Sequence, residues 1–113
     1  MNEEKRIWGH YEVLYEDAYA KLKYLYIEPG KHISYQYHNH RSEYWTVVQG
    51  CGKLILDGQV YPMARGDRAR IAAGQLHLIA NLGTETLVIH EIQTGTLLDE
   101  DDIVRFDAPE ELL

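Results

Sequence analysis

Residues 30–50 of the chain read GKHISYQYHNHRSEYWTVVQG, and they carry the strongest signal for the fold. Aromatic and β-branched residues alternate with polar ones ahead of the histidines, which predicts a strand. Because side chains alternate between the two faces of a strand, Gln36, His38 and His40 are predicted to point the same way. Three convergent donors, joined by the carboxylate of Glu43 and a distant imidazole, predict a first-row metal site inside a small barrel.

Short β-prone runs recur along the rest of the chain, and turn residues separate them. The Asp57-Gly58 pair between two such runs predicts a two-residue hairpin. Short strands at this spacing predict an all-β sandwich or barrel, and 113 residues leave room for one domain, residues 1–113, around one core. The predicted strands are Lys23–Ile27, Ile33–His38, Tyr44–Val48, Lys53–Leu56, Gln59–Tyr61, Arg70–Ala72, His77–Ala80 and Leu87–Ile92.

Composition and charge narrow the classes of function. A formal net charge of −7 argues against nonspecific binding to nucleic acid. The single cysteine, Cys51, has no partner for an internal disulfide. The charged N-terminus is not followed by an apolar run, and no stretch approaches a membrane span, so we expect neither a signal peptide nor a membrane partner. We therefore expect a cytoplasmic protein.

Two spacing patterns occur together in the chain, more than twenty residues apart. The pattern G-x5-(Q/H)-x-H-x4-E-x6-G is met by Gly30, Gln36, His38, Glu43 and Gly50. The pattern G-x5-P-x-G-x2-H-x3-N is met by Gly66, Gly74, His77 and Asn81, with Ala72 in place of the proline. Together they resemble the two signature motifs of the cupin superfamily, which implies a jelly-roll barrel, also called a double-stranded β-helix.

The motif spacing favours a particular ligand set, with His40 close by. A pairing of His38 with His40 is the alternative, and it alters the spacings to both Gly30 and Glu43. A mixed nitrogen and oxygen donor set suits one divalent ion, Zn²⁺ first, with Mn²⁺, Fe²⁺, Co²⁺ or Ni²⁺ as alternatives. A polar interior that holds only water is the competing interpretation. The favoured ligands are Gln36, His38, Glu43 and His77.

Beyond the two motifs, residues 5–107 resemble one family, the C-terminal domain of type II phosphomannose isomerase / mannose-1-phosphate guanylyltransferase. The opening RIWGHYEVL of residues 6–14 is similar to the family's R-P-W-G-x-Y-E-V-L. The closing EDDIVR of residues 100–105 also matches, and it is not part of the general cupin pattern. In that family the domain usually follows a GDP-mannose pyrophosphorylase domain. We expect a stand-alone domain here, without pyrophosphorylase activity.

The resemblance implies an aldose–ketose isomerase that interconverts mannose 6-phosphate and fructose 6-phosphate. Such a reaction needs a metal that polarises the carbonyl and a base that moves a proton between C1 and C2. His40 and Glu91 are the candidate bases, although His40 could instead orient Glu43 or a water. Lys23 is a third candidate. It shares a strand face with Lys21, and this face points either into the barrel mouth or into solvent, which is the ordinary arrangement for lysine.

The phosphate group of such a substrate calls for a cation, and arginine binds phosphate bidentately. Arg41 is the first candidate by position, and Arg105 in the closing run is the second. Trp45 follows Glu43 by two residues, so it is expected on the same face and could contact the sugar. The acidic run at residues 99–102 is expected to be a solvated turn or a helix start.

The sequence is also compatible with other functions. A carbohydrate-binding or sensory cupin without turnover is the main alternative, and Tyr44, which stands where the family commonly has His, favours it. A nucleotide-sugar isomerase or an oxygenase is a further alternative. We also expect a homodimer formed through a sheet edge, with the tyrosine-rich run at residues 21–27 as the edge strand.

Overall fold

Antiparallel strands make up nearly all of the fold. The computed structural model describes residues 2–113. Its only helical turn within those residues is a short 3₁₀ turn, Glu110–Leu112, and no helix among them is long and apolar enough to span a membrane. The strands are β1 (Asn2–Arg6), β2 (Gly9–Glu16), β3 (Ala20–Ile27), β4 (Tyr35–Tyr37), β5 (Arg41–Gln49), β6 (Cys51–Leu56), β7 (Gln59–Ala64), β8 (Arg68–Ile71), β9 (His77–Asn81), β10 (Leu87–Gly95) and β11 (Val104–Phe106).

Two sheets face each other across the core. One has the order β1-β2-β3-β10-β5-β8 and the other β11-β4-β9-β6-β7. The predicted all-β jelly roll is therefore confirmed. All eight predicted strands are present, whereas β1, β2 and β11 were not predicted. β1 reads NEEKR and carries no apolar alternation, because it is an edge strand that pairs only with β2.

The turns follow from glycine placed where the backbone needs positive φ. Asp57 and Gly58 have φ of 49° and 79° and close the β6–β7 hairpin, as predicted. Gly50 has φ of 86° between β5 and β6, and a Cβ there would lie 3.1 Å from the carbonyl oxygen of Thr86. Only glycine adopts this conformation without strain, so the sequence fixes where the chain reverses.

The inward faces of β3, β10 and β5 are apolar at one end and polar at the other. Ile89 of β10 lies opposite Leu25 and Val47, and all three are buried. Each fully buried aliphatic side chain of this kind contributes about 1.5–3 kcal/mol. Four residues further along β10 the register places Gln93 opposite Lys21 and Glu43. The apolar end forms the core, and the polar end forms the site described below.

The expected dimer edge is not an edge in this fold. β3, which contains residues 21–27, lies between β2 and β10, and both its neighbours occupy its backbone hydrogen bonds. The argument that this strand pairs with a second copy is therefore wrong. The edge strands are β1 and β8 in one sheet, and β11 and β7 in the other.

Candidate metal centre

Three buried side chains from different parts of the chain meet at the polar end of the barrel. His38 lies in the turn after β4, Glu43 on β5 and His77 at the start of β9. Their exposed fractions are 3%, 2% and 0%. Glu43 Oε2 lies 3.3 Å from His38 Nε2, and Glu43 Oε1 lies 3.8 Å from His77 Nε2. One donor atom from each residue lies within 4.8 Å of the others.

Backbone carbonyls fix the tautomer of both imidazoles. The Nδ1 of His38 lies 2.6 Å from the carbonyl oxygen of Asp102, and the Nδ1 of His77 lies 2.9 Å from that of Gln75. A carbonyl only accepts, so each Nδ1 carries a hydrogen and each Nε2 is left as an acceptor. Burial lowers the pKa of both residues, that of His38 to about 4, which favours the neutral form of each ring.

The donor set fits a divalent metal ion. The Nε2 of His77 is buried and has no hydrogen-bond partner among the described residues. Leaving a polar atom in that state is unfavourable unless a ligand engages it. Two neutral imidazole Nε2 atoms and a carboxylate, each imidazole oriented through its other nitrogen, are the ligands that Zn²⁺ and similar ions take in proteins.

Arg41 contacts the candidate ligands. Its Nε lies 3.0 Å from Glu43 Oε2, a terminal nitrogen lies 2.9 Å from the same oxygen, and the latter nitrogen lies 3.3 Å from His38 Nε2. The guanidinium is buried and also donates to the carbonyl of Asp99. Arg41 is thus placed at the predicted site, but it pairs with Glu43 and is not the free phosphate clamp that we expected.

Glu91 and Trp45 form the wall next to Glu43. The indole Nε1 of Trp45 donates to Glu43 Oε1 at 3.1 Å and to Glu91 Oε1 at 3.0 Å. Trp45 therefore faces the same side as Glu43, as predicted, but it is only 1% exposed and orients two carboxylates instead of presenting a face to a sugar. Burial, with repulsion from Glu43, raises the pKa of Glu91 to about 7 although Lys23 opposes this.

Gln93 was missed by the sequence analysis. Its Nε2 donates to Glu91 Oε2 at 2.8 Å, and its side chain is fully buried. Its Oε1 has no hydrogen-bond partner among the described residues. The alternation along β10, in which Ile89, Glu91 and Gln93 share a face, was the signal that could have found it.

Lys21 and Lys23 are buried, so the solvated interpretation of this pair is wrong. Both ammonium groups contact Glu100, Lys21 at 2.8 Å and Lys23 at 2.9 Å. Lys23 Nζ also lies 4.0 Å from the centre of the Tyr11 ring, in cation–π geometry. Burial acts to raise the pKa of Glu100, but the two lysines outweigh it and hold this pKa at about 2.

His40 does not share the face of His38. β4 ends at Tyr37, and the next residues form a turn in which His40 is exposed and lies outside the cavity lining. The prediction that Gln36, His38 and His40 point the same way along one strand is therefore wrong. The geometry gives no support to His40 as a base or a ligand.

Gln36 lies beside the candidate ligands. It is paired in register with His77 and lines the cavity, and its Oε1 accepts a hydrogen bond from Ser34 at 3.2 Å. Its role as a fourth ligand stays a prediction. Asn81, the last residue of the second motif, instead braces a turn, because its Nδ2 donates to the carbonyls of Ile27 and Glu85.

An open cavity of about 620 Å³ reaches Glu43, one of the three candidate ligands, and Gln36 beside them. Lys23, Arg41, Glu43 and Glu91 line this cavity, and so do Trp8 and Arg105. Arg105, on β11, is exposed and forms no ion pair among residues 2–113. It is the free cation of the cavity.

Tyr44 lies on the other side of the sheet from the candidate ligands. It is 42% exposed, and its hydroxyl accepts a hydrogen bond from Arg70 Nε at 3.5 Å. Glu43 and Tyr44 are neighbours in sequence, so alternation along β5 points them in opposite directions. Our expectation that Tyr44 bears on the chemistry next to Glu43 is wrong.

A double-stranded β-helix with a buried His-Glu-His group at its polar end defines a barrel of the cupin class. More narrowly, the chain belongs to the mannose-6-phosphate isomerase C-terminal family, whose model matches residues 2–108. It is 35% identical over 101 residues to the mannose-1-phosphate guanylyltransferase of Escherichia coli, a match that covers 89% of this chain and 21% of that protein.

Solved structures agree with this assignment. A sugar phosphate isomerase of the cupin superfamily from Silicibacter pomeroyi is 25% identical, with a TM-score of 0.63 over 67% of this chain and 50% of that one. A Klebsiella pneumoniae protein with a double-stranded β-helix domain is 22% identical, with a TM-score of 0.76 over 92% of this chain and 86% of that one, and supports the fold alone. The chain spans about a fifth of the length of the curated relatives it matches.

Proposed function

We propose that residues 1–113 form one domain that acts as a metal-dependent sugar-phosphate isomerase and interconverts mannose 6-phosphate and fructose 6-phosphate in the cytoplasm. The observation that supports the proposal is the pair of imidazole Nε2 atoms converging on Glu43, which lines a cavity that Arg105 also lines. The names of the family and of the cupin relative from Silicibacter pomeroyi point to the same substrate class.

His38, Glu43 and His77 would hold one divalent ion, with Gln36 as the candidate fourth ligand, and Zn²⁺ is the first choice for this donor set. When bound, such an ion supplies a Lewis acid that polarises the carbonyl oxygen of the open-chain sugar. Asp102 and Gln75 keep both Nε2 lone pairs directed inwards, through the hydrogen bonds that their carbonyls accept.

Glu91 is the proposed base that moves the proton between C1 and C2. It lines the cavity, and Trp45 Nε1 ties its carboxylate to that of Glu43, so a sugar held next to Glu43 lies within reach of Glu91. Trp45 and Gln93 each donate to one Glu91 oxygen, and these two bonds hold the carboxylate in one orientation. Lys23 is the candidate that assists, because it lines the same wall.

Arg105 is the proposed phosphate ligand. It is the cavity-lining arginine without an ion-pair partner among the described residues, whereas Arg41 pairs with Glu43. A guanidinium binds phosphate through two parallel hydrogen bonds, so Arg105 would hold the charged end of the sugar while C1 and C2 lie next to Glu43. Arg41, if released from Glu43, would be the second phosphate contact.

The test is turnover of mannose 6-phosphate with Zn²⁺, Co²⁺ or Mn²⁺ loaded in turn, followed as fructose 6-phosphate formed. We expect turnover that needs the metal and is lost in His77→Ala and in Glu91→Gln, with His77→Ala alone also losing metal binding. Stoichiometric metal binding without turnover on this sugar, in any of the three loaded forms, would reject the isomerase and favour a sugar-binding cupin.

A second measurement tests Arg105 as the phosphate ligand independently of the metal ligands and the base. Arg105→Ala should raise KM at least tenfold, equivalent to about 1.4 kcal/mol of binding, and change kcat little. Arg68→Ala is the matched control, because Arg68 is also an exposed strand arginine but lies outside this cavity. An equal effect of both variants would show that Arg105 acts only through net charge.

A further inference from the structure

The segment between β10 and β11 crosses the open end of the barrel and reaches three parts of the site. We call residues 99–103 of this segment the strap. Glu100 contacts Lys21 and Lys23, the carbonyl of Asp99 accepts from Arg41, and Asp102 contacts the turn that carries His38. The prediction that residues 99–102 are a solvated turn or a helix start is wrong for Glu100 and Asp102, because both are engaged by the barrel.

Asp102 holds three consecutive residues of the ligand turn. Its carbonyl oxygen accepts from His38 Nδ1 at 2.6 Å. Its carboxylate oxygens accept from the backbone N–H of Asn39 and of His40, each at 2.9 Å. Asp102 is only 7% exposed, so these bonds are shielded from water. More than sixty residues of sequence separate the two partners, and the pairing of β11 with β4, which sets Val104 opposite Tyr37, brings the strap next to the turn.

We propose that Asp102 is the positioning residue for the candidate metal ligand His38. Its carboxylate binds the backbone of the turn to the strap, which holds its carbonyl oxygen at a fixed distance from the His38 ring. That carbonyl keeps the hydrogen on Nδ1 of His38 and the lone pair on Nε2. The ring of His38 is thereby aimed at Glu43 before any metal binds. This proposal rests on the metal site of the proposed function and is independent of which sugar is the substrate.

The chemistry of the side chain explains why the position takes an aspartate. Two backbone N–H groups need two acceptors on a short stem, and a carboxylate offers both at once, with charge-assisted strength. Asparagine offers one acceptor and turns a donor towards the second N–H. The ion pairs of Glu100 with two buried lysines anchor the strap from its other end, so the carbonyl of Asp102 does not drift.

Two variants and one matched control test the proposal in the metal-free protein. Asp102→Ala and Asp102→Asn remove two and one of the carboxylate acceptors. Asp101→Ala, the control, removes the same charge from an exposed neighbour in the strap. The readout is the tautomer of each histidine, taken from the ¹⁵N shifts of its ring nitrogens, with circular dichroism as the check on folding. His77 is an internal reference, because Gln75 fixes its tautomer without the strap.

We expect the Nδ1–H tautomer of His38 to become mixed in Asp102→Ala, and less so in Asp102→Asn, while His77 is unchanged in every variant. Titration with Co²⁺ should then show an affinity about tenfold lower for Asp102→Ala, within the range for outer partners of metal ligands, and an unchanged affinity for Asp101→Ala. Asp102→Asn serves if the alanine variant does not fold.

Three outcomes would overturn the proposal: an unchanged His38 tautomer in the folded variants, an equal change in His77, or an equal loss of Co²⁺ affinity in Asp101→Ala. If the unaltered protein binds no Co²⁺, the metal site of the proposed function fails. The tautomer of His38 in the metal-free variants still decides whether Asp102 positions the ring.

Discussion

Replacing Glu100 by glutamine removes one carboxylate from between two buried ammonium groups. Lys21 and Lys23 would keep their charges and lose the partner that lies within 2.9 Å of both, and only Lys21 would keep a second carboxylate, that of Glu16 at 3.7 Å. A buried charge that loses its partner strongly destabilises the folded state, and the neutral side chain of glutamine does not replace the lost carboxylate charge. Glu100→Gln is therefore expected to destabilise the fold, and glutamine preserves the shape of the side chain.

The size of the effect follows from the pKa of Glu100. Its ordinary value is 4.5 and the folded protein holds it at about 2, which corresponds to about 3 kcal/mol at about 1.4 kcal/mol per pKa unit. The side chain is 36% exposed, so solvent screens part of this interaction and we expect about 2 kcal/mol at neutral pH.

The pH dependence of the stability difference between wild type and Glu100→Gln is the sharper test. Because the pKa of Glu100 is lower in the folded state, its contribution is complete above the unfolded value of 4.5 and is lost as the pH falls towards 2. Denaturant unfolding from neutral pH down to about pH 3.5 should show the wild-type advantage shrinking by about 1 kcal/mol. Glu110→Gln, an exposed glutamate outside any ion pair among the described residues, is the control. A constant difference between wild type and Glu100→Gln across this range would refute the reasoning.

Two further substitutions test the packing of the site and of the barrel. Trp45→Phe keeps a buried aromatic ring but removes the N–H that Glu43 and Glu91 share. It should lower the free energy of unfolding by about 2 kcal/mol and weaken Co²⁺ binding. The control, Trp8→Phe, should do neither. Gly52→Ala places a Cβ 2.6 Å from the Ala80 carbonyl oxygen and should lower the free energy of unfolding by about 1–3 kcal/mol. In the control, Gly83→Ala, the new Cβ meets only atoms at 3.4 Å or more, so the loss should be less than about 0.5 kcal/mol. Equal unfolding midpoints within either pair would contradict these contacts.

The strands were predictable because their signals are local. Alternation of side chains and the Asp57-Gly58 turn depend on neighbours a few residues apart, and eight of the strands were placed from them. β1 was not predicted because it carries no apolar alternation, and β11 was not predicted because three residues are too few to show a period. The length of β4 was overestimated because the chain turns at His38, where Asp102 supplies the acceptors that a neighbouring strand would otherwise supply.

Motif spacing and strand period are local properties of the chain, so the cupin barrel, the family and the three candidate ligands could be predicted from the residues alone. The remaining features depend on how distant parts of the chain pack together. Pairing of β10 with β5 and β3 placed Glu91 beside Trp45 and Lys23, and the strap brought Glu100 and Asp102 to partners more than sixty residues away. Such contacts are set by strand register and chain crossing, which no local pattern encodes. For that reason the sequence left the direction of Lys21 and Lys23 open and predicted a solvated turn or a helix start for the acidic run at residues 99–102.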